Sequence, residues 1–357
     1  MISDTVLDLA VQKGLIERGQ AIALRSLARQ EEPEPRPEPV EEERLRFITG
    51  FADIFVTIGL VLFLGSAAYL AGRYRGDGAT SAFVAALAWA QAEFFTRRRR
   101  MALPSIVLLI VFTTAAFMAL SNVLGGEAGT VRPRLGWLDV LVRPSREPLP
   151  TALAAFGTAA LAGLHYWRFR VPITIAAGAG ALALTALMLL YAAAPDATTG
   201  LLNPILLGLG TIAFGLAMRF DLADPVRRTR RTDIAFWLHM LAAPLIVHSL
   251  FNMIGVGRGL IAPGSAALVL AIFLVLAAVA VIIDRRALLV SGLVYAGIAF
   301  ASLVRSIGIA DTTTPIAVLA IGGLVLLLSA GWGPLRARLL SVAPDGFVAR
   351  LPGPVRS

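Results

Sequence analysis

Apolar runs of about twenty residues recur along this chain, and arginines divide them. The first, 51-FADIFVTIGLVLFLGSAAYLAG-72, is closed by Arg73 and Arg75. Roughly 20 largely uncharged residues carry a helix across the hydrocarbon core of a bilayer. The pattern therefore predicts membrane-spanning helices near 51–72, 78–95, 101–121, 150–167, 171–193, 201–218, 234–255, 262–283, 287–304 and 313–332. These ten candidate spans make the expected fold class an all-α, polytopic membrane helix bundle. The longest connection is 122–149, within which 135-LGWLDVLV-142 reads as an interfacial segment anchored by Trp137. Small residues recur four apart in several spans: Ala155, Ala159 and Gly163; Gly292 and Ala296; Gly297 and Ala301. Such stripes let helix backbones approach closely, because lipid offers no hydrophobic drive for helices to associate.

Residues 1–30 follow a different pattern. Val6, Leu7, Ala10 and Val11 share one helical face, Gly14 breaks it, 15-LIE-17 turns the chain, and Ala21, Leu24, Leu27 and Ala28 form a second stripe. This predicts a short cytoplasmic helical hairpin. It is too small to be stable alone, so it is expected to dock on the membrane domain or on a protein partner. Residues 31–46 form an acidic, proline-rich linker in which same-sign charge and missing backbone donors prevent a packed core. The expected organisation is hairpin 1–30, linker 31–46, transmembrane bundle 47–335 and cytoplasmic tail 336–357.

Composition agrees. The chain has 357 residues, 57% hydrophobic and 15% charged, with a mean hydropathy of +0.77. Soluble domains carry about 25% charge. The net charge of +9 does not imply nucleic acid, because the basic residues sit in short loops between apolar runs, where anionic lipid headgroups attract them. Membrane lipids are the expected partners. Lys13 is the only lysine, and cysteine is absent, which excludes a disulfide framework, a thiol nucleophile and a thiolate metal site. The first strong apolar run begins near residue 51, later than in a cleaved signal peptide.

Arginine placement orients the bundle. With the N-terminus in the cytoplasm, the inside loops carry 97-RRRR-100, Arg168, Arg170, Arg219, 227-RRTRR-231, Arg285 and Arg286, and outnumber the outside loops in arginine. The positive-inside rule then places both termini in the cytoplasm, as expected of a multi-pass protein of a bacterial inner membrane. The 122–149 loop, with Arg132, Arg134, Arg143 and Arg146, runs against that trend.

Polar residues at membrane depth are costly and mark candidate sites. The 234–255 run is the richest. Pro244, His248 and Asn252 lie four apart on one face, and a mid-helix proline is expected to kink the helix. The three form a candidate polar pocket; the alternative is an interhelical hydrogen bond that fixes packing. A second candidate is a cytoplasmic-side polar cluster of Asp53, Glu93, His165 and His239, which share a depth in the topology, so that a carboxylate and a histidine there are suited to relay a proton. Glu93 also has Arg97 four residues on, which offers a plain ion pair. His239 and His248 point to opposite helix faces about 13 Å apart along the axis, so they do not make one metal site. The chain contains no GxxxxGK[ST], HExxH or GxSxG motif, and 208-GLGTIAFG-215 follows no strand and reads as intramembrane packing sequence. No catalytic residue, metal site or cofactor is expected.

Two segments carry a family resemblance. The head, 3-SDTVLDLAVQKGLIERGQAIALRSLA-28, and the arginine-rich tail, 331-GWGPLRARLLSVAP-344, resemble those of multi-pass bacterial membrane proteins of the DUF2157-like type. The resemblance implies an integral membrane protein and carries over no site residue. Two functional readings follow from the whole pattern. One is a transporter- or permease-like protein for a small solute: ten spans divide as five plus five, and an odd unit repeated once is inverted, a common transporter plan, although 51–193 and 201–332 show no matching sequence. The other is a non-transporting membrane scaffold or envelope-associated protein.

Overall fold

The computed structural model describes residues 11–22, 51–74, 76–125, 147–224, 229–254, 263–306, 313–342 and 351. The linker 31–46, segment 135–142 with Trp137, and most of the hairpin and of the tail lie outside the described residues. Two compact units are distinguished, residues 1–45 with 355–357, and residues 46–354. Of the first, residues 11–22 are described: short helical pieces flank a turn in which Gly14 adopts a positive φ of 70°, a conformation glycine takes without steric cost.

The second unit is an all-α bundle. In chain order its helices are α1 Phe51–Tyr74, α2 Asp77–Ala92, α3 Ala102–Leu124, α4 Pro148–Phe169, α5 Ile173–Ala193, α6 Pro195–Gly200, α7 Leu202–Leu222, α8 Arg230–Met253, α9 Pro263–Ile283, α10 Ala287–Ser306 and α11 Thr313–Ser341. Each of the ten apolar runs matches one of the long helices to within a few residues, as far as its residues are described. Among the described residues, seven helices are long and apolar enough to cross a membrane: α1, α3, α5, α7, α8, α9 and α11. Their outward surface is apolar as well. Phe55, Ile58, Leu62 and Phe63 on α1, and Leu326 and Leu327 on α11, are all more than half exposed. A soluble surface seldom carries contiguous apolar area of that kind; several long apolar helices with apolar outer faces are consistent with a membrane-spanning fold.

Helix ends follow local chemistry. Pro148 opens α4, where its missing N–H costs nothing, and Gly125 closes α3 at φ 79°. Thr229 caps α8 by accepting from Arg231 N at 3.3 Å. The carboxylate of Asp224 ties the same corner, accepting from Thr229 N at 2.7 Å, Thr229 Oγ1 at 2.6 Å and Thr232 Oγ1 at 3.1 Å. α2 spans only 16 residues and continues into a π-helical turn, Glu93–Arg98. The six-residue α6, between α5 and α7, was not expected from the hydrophobic pattern.

Packing proceeds by antiparallel hairpins, α2 with α3, α4 with α5, α7 with α8, and α9 with α10. Leu60, Leu64, Ala88, Leu108 and Phe112 form the core of α1–α3, and Phe273, Ala280, Ala296 and Trp332 that of α9–α11. α8 touches both α5 and α10 and is the most enclosed of the seven apolar helices. It comes close to α7 at Gly210: a Cβ there would meet Leu245 Cβ at 2.9 Å and the Ile246 backbone N at 3.0 Å. This glycine of the 208–215 segment is thus a packing device, beside the Pro244 turn of an α8 that stays helical from Arg230 to Met253. Gly292 and Gly297 likewise face Phe273 and Ile321 at distances no Cβ would tolerate. The α4 stripe is placed differently from its expected register. Its buried ridge is Ala155, Thr158, Ala162 and His165, and Gly163 is exposed.

Candidate functional site

Polar and charged groups gather at one end of the bundle, where α2, α4, α7 and α9 finish and α3, α5, α8 and α10 begin. Val171 and Ile173 pack with Leu109 there, and Trp237 lies against them, so the two halves meet at this end. Its exposed rim carries Arg97–Arg100, Arg170, Arg219, Arg230 and Arg231.

Beneath that rim three ionisable side chains from separate elements converge. Asp221 sits in the last turn of α7, His239 in the first half of α8, and Arg285 in the turn between α9 and α10. Arg285 Nε donates to Asp221 Oδ2 at 2.9 Å and its Nη2 to Oδ1, so guanidinium and carboxylate meet fork to fork. His239 Nε2 lies 3.0 Å from the same Oδ2. The exposures of His239, Asp221 and Arg285 are 0%, 1% and 1%. Phe214 packs edge-on against the imidazole at 5.2 Å. Arg285 also reaches the carbonyl of Thr232 at 3.5 Å.

The α9–α10 turn holds Arg285 in place. Asp284 takes φ 59°, a left-handed conformation that Asp tolerates better than most residues, and Arg285 N bonds to Ala280 O at 2.8 Å. The residues on either side of Arg285 are held by α11. Trp332 Nε1 donates to Asp284 Oδ1 at 2.7 Å, and the Arg286 guanidinium lies 5.1 Å from the centre of the Trp332 ring. Arg336, also buried, donates to Ile282 O at 3.4 Å, and α11 stays helical past it to Ser341.

The residues singled out from the sequence fall in several settings. His239 belongs to the Asp221–Arg285 network. Glu93 lies at the start of the π turn and accepts from Arg168 Nε at 2.8 Å and Nη2 at 2.9 Å, and from Arg97 at 3.4 Å. His165 is fully buried on the same α2–α4 seam, ringed by Trp89, Phe112 and Phe169 at 5.6, 5.5 and 4.6 Å, with Thr174 Oγ1 at 3.3 Å. Asp53 is buried in the first turn of α1, and its carbonyl accepts from Thr57 Oγ1 at 2.7 Å. Pro244, His248 and Asn252 are half-buried along one side of α8, and His248 Nδ1 is hydrogen-bonded to the hydroxyl of Tyr295 on α10. Phe251 stacks at a tilt on the same tyrosine at 4.5 Å.

Asp221 and Arg285 were not singled out by sequence reasoning. A loop arginine and a buried one read alike beside an apolar run, and only the fold brings Arg285 within reach of an acid 64 residues away. Chemically, the trio combines a permanently charged guanidinium, a carboxylate and an imidazole, a group able to take up or release a proton. Among the described residues no group of three or more histidine and acidic side chains converges as metal ligands would. Fold and site together define an all-α bundle of long apolar helices with a buried ionic network. No family model, curated protein or solved structure matches the chain.

Proposed function

We propose that this chain is a multi-pass protein of a bacterial inner membrane whose ten long helices cross the bilayer, with both termini cytoplasmic, and that it acts as a transporter- or permease-like protein for a small solute. The observation that carries the reading is the Asp221–His239–Arg285 network, buried among helices that are largely apolar. Ionisable groups inside a membrane bundle are expensive and are characteristic of ion and solute pathways. Burying an ion pair is also seldom the most economical way to stabilise a fold, since well-packed apolar residues of equal volume serve as well or better. The exposed arginines at the same end support a cytoplasmic placement of that end. The DUF2157-like resemblance of head and tail fits the same membrane assignment.

A second reading, a non-transporting scaffold or envelope-associated protein, is favoured by one observation. His248, the centre of the candidate pocket, is bonded to Tyr295, as a packing contact would be.

The test has two arms. Reporter fusions after residue 1 and residue 357 should both report cytoplasm; a periplasmic signal at either end overturns the topology. The purified protein, reconstituted in liposomes, should move at least one of a panel of amino acids, carboxylates, sugars and small cations faster than empty liposomes do, and Asp221→Asn should reduce that flux. Flux equal to empty liposomes across the panel favours the scaffold.

A further inference from the structure

We propose that the Asp221–His239 pair is a proton-binding site within the bundle and that the α9–α10 turn carries its state of protonation to Trp332 on α11. The purpose assigned to it, proton coupling, rests on the transport reading; the binding site itself rests on geometry.

His239 Nε2 and Asp221 Oδ2 are 3.0 Å apart, so one added proton is shared by the pair, as imidazolium with carboxylate or as imidazole with carboxylic acid. Either form takes the trio from net neutral to a single positive charge. Either form also weakens the grip on Arg285. In the first form Asp221 is divided between two cations; in the second it has lost its charge.

Other charged groups stand near the trio on several elements. α5 contributes no charged side chain to α8, and neither does α9. Asp224, at the end of α7, is held by Thr229 and Thr232. Arg219, Arg230 and Arg231 are exposed, and Asp233 is half-buried, one turn and a half before His239 on α8. From α10, Tyr295 is hydrogen-bonded to His248. Among the described residues, Asp284, Arg286 and Arg336 around α11 are engaged with Trp332, the Trp332 ring and Ile282 O. Asp221 and Arg285 are hydrogen-bonded to one another and, through Asp221, to His239.

The relay follows from the chain itself. Arg285 lies between Asp284 and Arg286, and both of those contact Trp332 from the same turn. A shift of the Arg285 backbone as its ion pair loosens changes the indole hydrogen bond and the cation over its face. Indole emission responds to both.

The experiment follows tryptophan emission of the full-length protein in nanodiscs from about pH 5 to about pH 8, the range in which histidine ordinarily changes charge. The expected result is one titration, absent from Trp332→Phe, lost in His239→Gln and retained in His248→Gln. Emission from Trp332 that is flat across the range, or a titration unchanged in His239→Gln, overturns the proposal. Should the His239 variant fail to fold, the ring-nitrogen resonances of the three histidines in the unsubstituted protein decide instead. His239 is assigned by elimination of His165 and His248. Ring signals that change over the same pH range support the site, and ring signals that stay constant overturn it. Titration without solute flux leaves the proton site standing and removes the transport reading; flux without titration overturns the proton site alone.

Discussion

Arg285 and Asp221 stand 64 residues apart in the chain and meet with Nε to Oδ2 at 2.9 Å, each side chain 1% exposed. The pair ties the end of α7 to the turn between α9 and α10, and His239 brings α8 into the same contact. A guanidinium and a carboxylate are each costly to bury singly. Their mutual fork and the imidazole on Oδ2 make the burial tolerable, which gives the network a characteristic mutational signature.

Removing one partner leaves the other as an uncompensated buried charge, a loss of about 3–5 kcal/mol. Asp221→Ala and Arg285→Ala should each destabilise the bundle on that scale, read as unfolding midpoints in detergent titrations. The double variant Asp221→Leu with Arg285→Met should be more stable than either single one. A double variant whose loss equals the sum of the two single losses would show that the two side chains do not act as a pair.

Glu93 and Arg168 make the opposite case. Their hydrogen bonds are short, but both side chains are about one-third exposed, at 33% and 31%. Solvent screening limits such a pair to about 0–1 kcal/mol. Glu93→Gln should therefore shift the unfolding midpoint far less than Asp221→Ala. Equal losses would mean that the α2–α4 seam is more enclosed than its exposure indicates.

Gly210 and Gly215 lie on the same helix and differ in surroundings. A Cβ at Gly210 meets Leu245 Cβ and the Ile246 backbone at 2.9 and 3.0 Å, while one at Gly215 meets nothing within 4 Å. Gly210→Val should cost about 1–3 kcal/mol through overpacking. Gly215→Ala should be neutral or mildly stabilising, since alanine is the better helix former. Thermal denaturation of the two variants in the same detergent checks the difference, and a reversed order would refute the α7–α8 packing.

The hydroxyl of Tyr295 serves His248. Tyr295→Phe keeps the ring against Phe251 and removes that hydrogen bond, for an expected loss of about 0.6 kcal/mol, the average for interhelical hydrogen bonds in a membrane protein. The same variant separates packing from pathway. A pure packing contact leaves solute flux in liposomes unchanged, whereas a pocket residue alters it.

Much of the helical organisation is legible in one dimension. The ten apolar runs are helical because each is a long apolar stretch with at most one charged residue, and length and hydropathy are properties of consecutive residues. Gly292 and Gly297 could be read as close-packing positions for a similar reason: small residues at helical spacing are a local signal. Register is weaker. The stripe through Ala155, Ala159 and Gly163 and the ridge that is buried, Ala155, Thr158, Ala162 and His165, differ by a fraction of a turn. A helix that is apolar nearly all round does not announce which side its neighbours occupy.

What the amino-acid sequence determined by itself was the apolar character and the secondary structure: apolar helices, their approximate limits, and the arginines between them. The tertiary structure decided which of the charged residues are buried together. Asp221 and Arg285 each follow the end of an apolar run, and by position alone both read as interfacial residues. Only the packing of α7, α8 and the α9–α10 turn brings them into contact with His239 out of water. Burial and pairing depend on distances across the fold, and these are set by the packing of whole helices, which no local pattern of residues encodes.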